Sequence, residues 1–530
     1  MASYQPVRDA MIELEKSLDD QESLPMDRRL FVQALTASAT VAALRTFGAD
    51  SEAGVEVTIR SREVIGPLPH IWEECVGSDR AAITLRESWR QDIDRARTEL
   101  GIKRVRFHGI LNDELGVYTK TIQRRDATPN FRDVAEVYDG LVARRLAPFV
   151  ELSFMPSELA SGPQYFGFYK GNITPPTSYE AWGGFIKEFG LFLVNRYGLA
   201  QVSQWPIEVW NEPNLFHAFW TGSQQDYFKL YKAAAVALKS IDAGLKVGGP
   251  ATASTDWLPE FLTFCAQENA PVDFVSTHIY PGDNQRKLFG PDSERALSAV
   301  VPDALKNARS KVSASDFPKL PLYINEWSSD SPALIAHVLT EVLGQVEMMS
   351  HWTLSGTYEE LGPVDYIIAD GAMGWPQMVR GIARPSYNTY RLMHALGDQR
   401  LASEGPALAS RRANGSFAAL VWNLAEVVQA GGIPGANPKR DVTGVTKRVS
   451  VTIPDMRPGQ VMHVSYVDQE RGSPLPAFHQ MGSPRLPTLA QIDTLRRAAE
   501  IAPPIPSRLD SSRTLTLTLP PEGVALIEAA

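Results

Sequence analysis

Hydrophobic and polar positions between residues 70 and 398 follow two alternating patterns. Short apolar runs, typical of buried strands, are each followed by a longer segment with the three-to-four-residue apolar spacing of a helix. The predicted strands are 71–76, 103–108, 147–154, 207–210, 246–249, 274–280, 322–325 and 351–354. The predicted helices are 86–100, 134–143, 179–197, 226–241, 257–267, 293–307, 332–348 and 387–396. Eight strand–helix units in succession predict an α/β fold, the (β/α)8 or TIM barrel, as a catalytic domain over residues 70–398.

The pattern changes after residue 398. Short alternating segments with Pro and Gly between them are typical of a β-sandwich. They lie at 418–422, 449–453, 462–467 and 514–519. The alternating run Val55–Ile59 predicts that residues 54–69 contribute a strand to the same sheet. The sequence therefore predicts an accessory all-β sandwich domain over residues 399–530, with a helical insertion at 486–499.

Residues 1–53 are predicted to be an N-terminal extension. In it, Arg28 and Arg29 precede Phe31 and an apolar run from Ala34 to Leu44, which resembles a twin-arginine export signal. The prediction is export to the periplasm or the medium; the alternative is a surface helix with a basic start on a cytoplasmic protein. The apolar run is shorter than the roughly 20 residues that span a bilayer, and no other stretch qualifies, so no membrane span is expected.

Composition narrows the function classes without changing the fold prediction. The 530 residues are 44% hydrophobic and 21% charged, which is ordinary for a soluble globular protein. A net charge of −9 without a basic stripe makes nucleic acid an unexpected partner. Two isolated cysteines, Cys75 and Cys265, make no metal site, and the sequence leaves open whether they pair.

Polar residues occupy the ends of several predicted barrel strands. Function in such barrels is located at the carboxyl ends of the strands, and buried charges cost several kcal/mol unless they are paired. The candidates are Arg106, His108, Glu151, Asn211, Glu212, His278, Tyr280, Glu326 and Trp352. Two strand ends carry an Asn-Glu pair, so two carboxylates are expected at one rim. Paired carboxylates are the groups that cleave glycosidic bonds.

Several motifs, in order, resemble glycoside hydrolase family 39. They are Cys75–Ala81, Val105–Gly109, Phe149–Pro156, Tyr169–Thr174, Val209–Asn214, Thr277–Tyr280 and Asn325–Trp327. The resemblance extends from residue 55 to the C-terminus and implies a retaining glycosidase acting on oligosaccharides. The best-known members are β-xylosidases and α-L-iduronidases. The stretch Met481–Pro484 is more similar to the xylosidase branch, which implies release of xylose from the non-reducing ends of xylo-oligosaccharides.

The resemblance also implies roles for individual residues. Glu212 matches the acid/base and Glu326 the nucleophile, with Arg106 and Tyr280 hydrogen-bonded to Glu326. Asn211 is expected to bind the sugar 2-hydroxyl, and Trp352 to form the floor of the subsite. His108 and His278 are expected to bind sugar hydroxyls, Glu359 and Glu360 to lie near the substrate, and Glu151 to be either a site residue or the buried partner of Arg106. No metal or cofactor is expected, because both reacting groups are carboxyls.

Two departures from the family pattern leave the sugar open. Gly356 stands where xylosidases usually have Asp, and residues 369–375 replace a Gly-Gly-Phe-Gly type of loop. A galactoside, an arabinopyranoside or an iduronide could therefore replace the xyloside. A transglycosylase would share the covalent intermediate, and a non-catalytic carbohydrate-binding protein is the alternative from another class. The oligomeric state also stays open.

Overall fold

A computed structural model describes residues 54–121, 124–291, 293–355, 376–428, 441–484 and 486–529. The predicted export signal lies outside the described residues, and so do Gly356, Glu359, Glu360 and the loop 369–375. Within the described ranges, no helix combines the length and apolar character needed to cross a membrane.

The described chain begins with a long strand, β1 (Val55–Pro67), and then enters a closed parallel barrel. The barrel strands are β2 (Val76–Arg80), β3 (Arg104–His108), β4 (Ala147–Leu152), β5 (Pro206–Val209), β6 (Lys246–Thr252), β7 (Phe274–His278), β8 (Leu322–Trp327) and β9 (Met348–His351). They are neighbours in chain order, and β9 pairs with β2 through His351 and Val76. The predicted (β/α)8 architecture is confirmed.

Eight helices surround the barrel. They are α1 (Glu87–Leu100), α2 (Arg132–Ala143), α3 (Tyr179–Tyr197), α4 (Gln224–Lys239), α5 (Leu258–Gln267), α6 (Leu297–Ser313), α7 (Pro332–Glu341) and α8 (Pro385–His394). Local sequence sets their ends: the Ser178 hydroxyl accepts a hydrogen bond from the amide of Ala181 at the start of α3, and Ser223 with Asp226 forms a capping box on α4.

Several predicted boundaries were wrong, among them that of α6, predicted at 293–307 and observed at Leu297–Ser313. The first strand begins at Val76, because Ile71 and Trp72 are buried outside the strand ladder and the polar residues 78–80 are buried residues of the strand. The eighth strand ends at His351 instead of beginning there. Helix α7 ends at Glu341 rather than at 348, and the chain turns at Gly344, whose φ of +82° lies in the left-handed region that favours glycine.

Besides four two-stranded sheets, the described ranges contain eight further strands that form one nine-stranded sheet with β1. They are β10 (Gln399–Glu404), β11 (Ala407–Arg411), β12 (Phe417–Trp422), β13 (Lys447–Thr452), β14 (Val461–Val467), β15 (Ile505–Arg508), β16 (Thr514–Leu519) and β17 (Val524–Ala529). Their order in the sheet is β15-β14-β17-β12-β11-β10-β1-β13-β16. Strand β1 runs antiparallel to β10 and parallel to β13, and helix α9 (Leu489–Ala498) lies between β14 and β15 in the chain. The domain boundaries before residues 70 and 399 stay a prediction.

The two faces of this sheet have different partners. Alternate residues such as Val57, Val451 and Leu517 form the sheet's own hydrophobic cluster. Residues of opposite parity, including Leu420 and Leu526, join the cluster that contains the barrel core. The amide of Ala333, in α7, donates to the carbonyl of Glu522 at 3.0 Å. Barrel and sheet therefore share a continuous hydrophobic core, which stabilises the barrel that carries the polar residues.

Candidate active site

The carboxyl end of β5 delivers Glu212 into the mouth of the barrel. Trp210 and Glu212 have φ values of +73° and +42°, a left-handed conformation that costs a non-glycine residue on the order of 1–3 kcal/mol. Contacts hold this turn: the Trp210 indole N–H donates to the carbonyl of Phe219 at 2.8 Å, and the amide of Glu212 donates to the carbonyl of Ala251 at 2.8 Å. The break after β5 therefore aims Glu212 away from the strand ladder.

Glu212 and Glu326 face each other across the barrel mouth. One carboxylate oxygen of each, together with a ring nitrogen of His278, lies within 4.8 Å of the other two atoms. Both side chains are almost buried, at 10% and 5% exposure. Retaining glycosidases hold their two carboxyl groups about 5–5.5 Å apart, whereas inverting enzymes need about 6.5–9.5 Å for a water molecule. The separation therefore fits direct attack by a carboxylate on the sugar.

Arg106 is the cation at the centre of the site. Its Nη1 donates to Glu326 Oε1 at 2.7 Å, and its Nη2 donates to Asn211 Oδ1 at 2.8 Å. Its guanidinium also pairs with Glu151 and Glu208, each at 2.8 Å. Burial lowers the pKa of Arg106, but the three carboxylates raise it above the ordinary value, so the guanidinium stays charged.

Glu208 is a site residue that the sequence analysis missed. It is fully buried, its Oε2 accepts from Arg106 Nε at 2.9 Å, and its Oε1 accepts from Asn325 Nδ2 at 2.6 Å. Burial raises the pKa of Glu208, and the negative charge of Glu151 raises it further against the opposing effect of Arg106. The available signal was a lone carboxylate inside the apolar strand β5.

The pKa of Glu151 shifts in the opposite direction from that of Glu208. Burial also pushes the pKa of Glu151 upward, but Arg106 and His108 hold it below the ordinary value. His108 Nδ1 lies 2.8 Å from Glu151 Oε2, and Ser153 adds a hydroxyl hydrogen bond to the same carboxylate. Glu151 is therefore an ionised, buried partner of Arg106, whereas burial holds the pKa of Glu208 above its ordinary value.

His278 contacts both facing carboxylates. Its Nδ1 lies 2.9 Å from Glu212 Oε1 and 3.4 Å from Glu326 Oε2. Burial lowers the pKa of His278 to about 3, so the ring is neutral near pH 7 and Nδ1–H can donate to one carboxylate at a time. Burial also raises the pKa of Glu212 to about 7, which keeps part of that carboxyl protonated at neutral pH.

The other predicted residues complete the same site, with one exception. The Tyr280 hydroxyl donates to Glu326 Oε2 at 3.0 Å. Trp352 packs against the His108 ring with centroids 4.5 Å apart, and His108 Nε2 lies 3.7 Å from Glu326 Oε1. The exception is the pair Glu359 and Glu360, which lies outside the described residues.

Asp283 is a second residue that sequence reasoning missed. Its Oδ2 accepts from the Ser254 hydroxyl at 3.0 Å and from the amide of Tyr280 at 3.3 Å. Burial raises the pKa of Asp283 to about 6, and the charge of Glu212 adds to that rise. No periodic pattern marks this loop residue, which follows β7 in the chain, so the sequence offered no signal for it.

Barrel and site together define the class of protein. Two facing carboxyls, one with a raised pKa and one paired with Arg106, at the carboxyl ends of the fourth and seventh barrel strands are those of a retaining glycoside hydrolase. Comparison of the sequence with family profiles agrees. The chain belongs to the glycosyl hydrolases family 39, whose profile matches residues 55–511.

Individual relatives confirm the predicted resemblance. A β-xylosidase of Caldicellulosiruptor saccharolyticus is 34% identical, over 84% of this chain and 92% of the relative. A β-xylosidase of Geobacillus stearothermophilus is also 34% identical, over 81% of this chain and 86% of the relative. A crystal structure of a monomeric β-xylosidase from Caulobacter crescentus CB15 is similar at 30% identity with a TM-score of 0.78, covering 89% of this chain and 99% of that one.

Proposed function

We propose that this protein is an exo-acting retaining β-xylosidase that releases xylose from the non-reducing ends of short xylo-oligosaccharides. The observation that carries the proposal is the close approach of Glu212 and Glu326, within 4.8 Å, in a family 39 barrel. The sugar is inferred from similarity, because the two relatives that are 34% identical over most of this chain are β-xylosidases, whereas an α-L-iduronidase that matches 86% of the chain is 24% identical.

In the first step, a carboxylate oxygen of Glu326 attacks the anomeric carbon while Glu212 transfers its proton to the leaving glycosidic oxygen. The bond to the leaving group breaks as the Glu326–sugar ester forms. Arg106 and Tyr280 support this role, because charge-assisted hydrogen bonds at 2.7 and 3.0 Å keep Glu326 ionised and fix its direction.

In the second step, Glu212 accepts a proton from water, and the water oxygen replaces Glu326 at the anomeric carbon. Ester formation removes the negative charge of Glu326, and loss of a neighbouring negative charge lowers the pKa of a carboxyl group. Glu212 therefore changes from acid to base between the steps. Because the pKa of Glu212 is about 7 in the free enzyme, a small shift of that pKa changes whether the carboxyl is protonated near neutral pH.

Asn211 is suited to bind the sugar 2-hydroxyl. Arg106 fixes its amide by donating to Oδ1, which leaves Nδ2 as the donor that faces the site. Among the described residues, buried Nδ2 of Asn211 has no hydrogen-bond partner. A hydrogen bond to the 2-hydroxyl strengthens as the transition state forms, so it adds to catalysis as well as to binding.

The sugar preference is tested with a panel of aryl glycosides: β-D-xyloside, α-L-arabinopyranoside, β-D-galactoside, β-D-glucoside and α-L-iduronide. We expect the highest kcat/KM on the xyloside. A higher value on the galactoside or iduronide would assign another sugar to the same chemistry. Sugar binding without turnover of any aryl glycoside would reject the enzyme assignment.

The two roles are separated by a matched pair of variants. Glu326→Ala should lose activity, and added azide should restore it with a glycosyl azide of inverted configuration as the product. Glu212→Ala should lose about 10²–10⁴-fold in rate on substrates with poor leaving groups, while an activated aryl xyloside still forms the glycosyl-enzyme. Near wild-type rates for either variant would disprove the role given to that residue.

We also propose export through a twin-arginine signal. The support is the order of paired arginines, Phe31 and a weakly apolar run in residues 26–44. The test is a fusion of residues 1–53 to a reporter that is active only after export in the folded state. Replacing Arg28 and Arg29 by lysine should retain the reporter in the cytoplasm, and unchanged export would reject the proposal.

A further inference from the structure

A second cluster of ionisable side chains lies at the opposite end of the barrel from the catalytic carboxyls. Glu73 precedes β2, and its Oε1 lies 2.5 Å from His70 Nδ1 and 2.8 Å from His394 Nδ1. One ligand atom of each residue lies within 4.8 Å of the other two. His70 and Glu73 are nearly buried, at 11% and 9% exposure, and His394 is 38% exposed.

The two nitrogens of the His70 ring both face acceptors. Nδ1 faces the Glu73 carboxylate, and Nε2 lies 3.4 Å from the carbonyl oxygen of Gly397. A neutral imidazole carries one N–H, so it can donate to one of these acceptors only. An imidazolium would donate to both acceptors, and a metal ion on Nδ1 satisfies them equally well, because metal-bound histidines typically donate their other N–H to a backbone carbonyl or carboxylate.

A cavity of about 330 Å³ adjoins the cluster. Its lining contains four carboxylates, Glu73, Glu74, Glu347 and Asp398, and one ammonium group, that of Lys103. Several of these charges are paired; Glu74, for example, binds Lys103 at 2.6 Å. The excess of carboxylates nevertheless favours cations over anions, and the cavity gives an ion a path to Glu73 and room for a bound water.

We propose that His70, Glu73 and His394 form a structural binding site for a divalent transition-metal ion of the zinc type. Two imidazole nitrogens and one carboxylate oxygen are a ligand set that Zn²⁺ accepts, with water in the fourth position. The ion replaces the protons of the two short contacts. Metal–ligand bonds of about 2.0–2.2 Å at a tetrahedral angle separate the ligand atoms by about 3.3–3.5 Å. The side chains must therefore move apart by ~0.5–1 Å to admit the ion.

The position of the site indicates what the ion does. Residues 68–75 connect strand β1 of the sheet to the barrel, and residues 395–398 connect α8 back to strand β10. The amide of Leu68 donates to the carbonyl of Asp398 at 2.7 Å, so the two connections run side by side. An ion bound by Glu73 and His394 therefore links the two connecting segments and stabilises the junction of barrel and sheet. It takes no part in catalysis.

The test uses the full chain without a histidine tag, stripped of metal with a chelator and titrated with ZnCl₂ by calorimetry. We expect one zinc per chain and a midpoint of thermal unfolding that rises by several degrees. MgCl₂ should give no shift, because Mg²⁺ prefers an all-oxygen site. The value of kcat/KM on an aryl xyloside should be the same with and without zinc.

A matched pair of variants assigns the binding to this cluster. His394→Gln, at a half-exposed position, should abolish both zinc binding and the thermal shift. His479→Gln, on the exposed face of the short helix Leu475–Gln480, should leave both unchanged. Two results would overturn the proposal: a stripped wild-type chain that binds no zinc, or a His394→Gln variant that binds zinc as tightly as the wild type.

Discussion

At the scale of single residues, burial assigns different tasks to carboxyl groups of the same kind. Glu212 is buried without a direct cationic partner in the described structure, and its pKa rises to about 7. Glu151, buried beside Arg106 and His108, has a pKa below its ordinary value. One carboxyl is thereby able to give and take a proton near neutral pH, while the other stays charged and holds the guanidinium in place.

The raised pKa of Glu212 predicts the alkaline side of the pH–activity profile. The first step needs the protonated acid, so activity is present below the folded-state pKa and is lost as the pH rises through it. We expect kcat/KM on a xyloside with a poor leaving group to fall about tenfold per pH unit above about pH 7.

A dinitrophenyl xyloside is the control for this profile, because its leaving group needs no proton and the alkaline limb should weaken. An alkaline limb that begins near pH 5 on the poor substrate would contradict the environment assigned to Glu212.

The two carboxylates beside Arg106 make a second prediction. The pKa of Glu208 is raised and that of Glu151 is lowered, so a neutral amide is a closer substitute for Glu208 than for Glu151. Glu151→Gln should cost about 1.5–3 kcal/mol, the usual value of a hydrogen bond to a charged group. Glu208→Gln should cost less, because once the Asn325 amide turns over, the new amide can donate to Asn325 Oδ1, which has no partner among the described residues.

Urea unfolding of both variants measures the two free energies under identical conditions. A larger loss of stability for Glu208→Gln than for Glu151→Gln would contradict the opposite pKa shifts of the two groups.

At the scale of elements, the barrel closes at a narrow seam between β9 and β2. One residue pair, His351 with Val76, joins these strands in register. Gly77 lies against the Trp352 ring directly after this pair, and a Cβ at Gly77 would stand 2.3 Å from Trp352 Cε3. The missing side chain on β2 therefore allows the tryptophan to lie beneath His108.

Gly77→Ala should displace Trp352, because the ring cannot share that space with a methyl group. We expect a stability loss of about 1–3 kcal/mol, as for other overpacked sites, and a reduced kcat/KM on aryl xylosides. Gly184→Ala is the matched control, since its Cβ on helix α3 would meet no atom within 4 Å. Unchanged kinetics in Gly77→Ala would show that Trp352 need not hold this position.

The elements also show what the sequence can and cannot predict. Helix α3 has the predicted bounds, 179–197, because its apolar period, its cap at Ser178 and the following Gly198 agree. Strand β2 was misplaced because Ser78, Asp79 and Arg80 are polar yet buried, so their hydropathy gives no sign of a buried strand.

Glu208 was missed for a related physical reason. A carboxylate inside an apolar strand is explained only by its partners, and Arg106 comes from another strand, 102 residues earlier. The facing glutamates were predictable because each lies in a local Asn-Glu motif at a strand end. Local sequence spacing does not predict contacts that form only in the folded chain. Examples are His278 between the two glutamates and Asp283 beside Tyr280.

At the scale of the whole molecule, the sheet and the barrel stabilise each other. Strand β1, which precedes the barrel in the chain, pairs with β10 and β13, which follow it. Sheet residues such as Leu420 pack into the cluster that contains the barrel core. Sequence periodicity predicted both layers, but the shared core depends on side chains that meet only in the folded chain. The active site lies on a barrel whose core continues into the sheet. A rigid scaffold of this kind keeps Glu212 and Glu326 at the spacing that the chemistry requires.

That spacing carries the central claim, and the configuration of the first product tests it most directly. Proton NMR during hydrolysis of an aryl β-xyloside records the anomeric signals before the sugar mutarotates. Carboxyls within 4.8 Å of each other leave no room for a water between nucleophile and sugar, so the account predicts β-xylose as the first product. Initial release of α-xylose would show single-step inversion and would contradict the covalent role of Glu326.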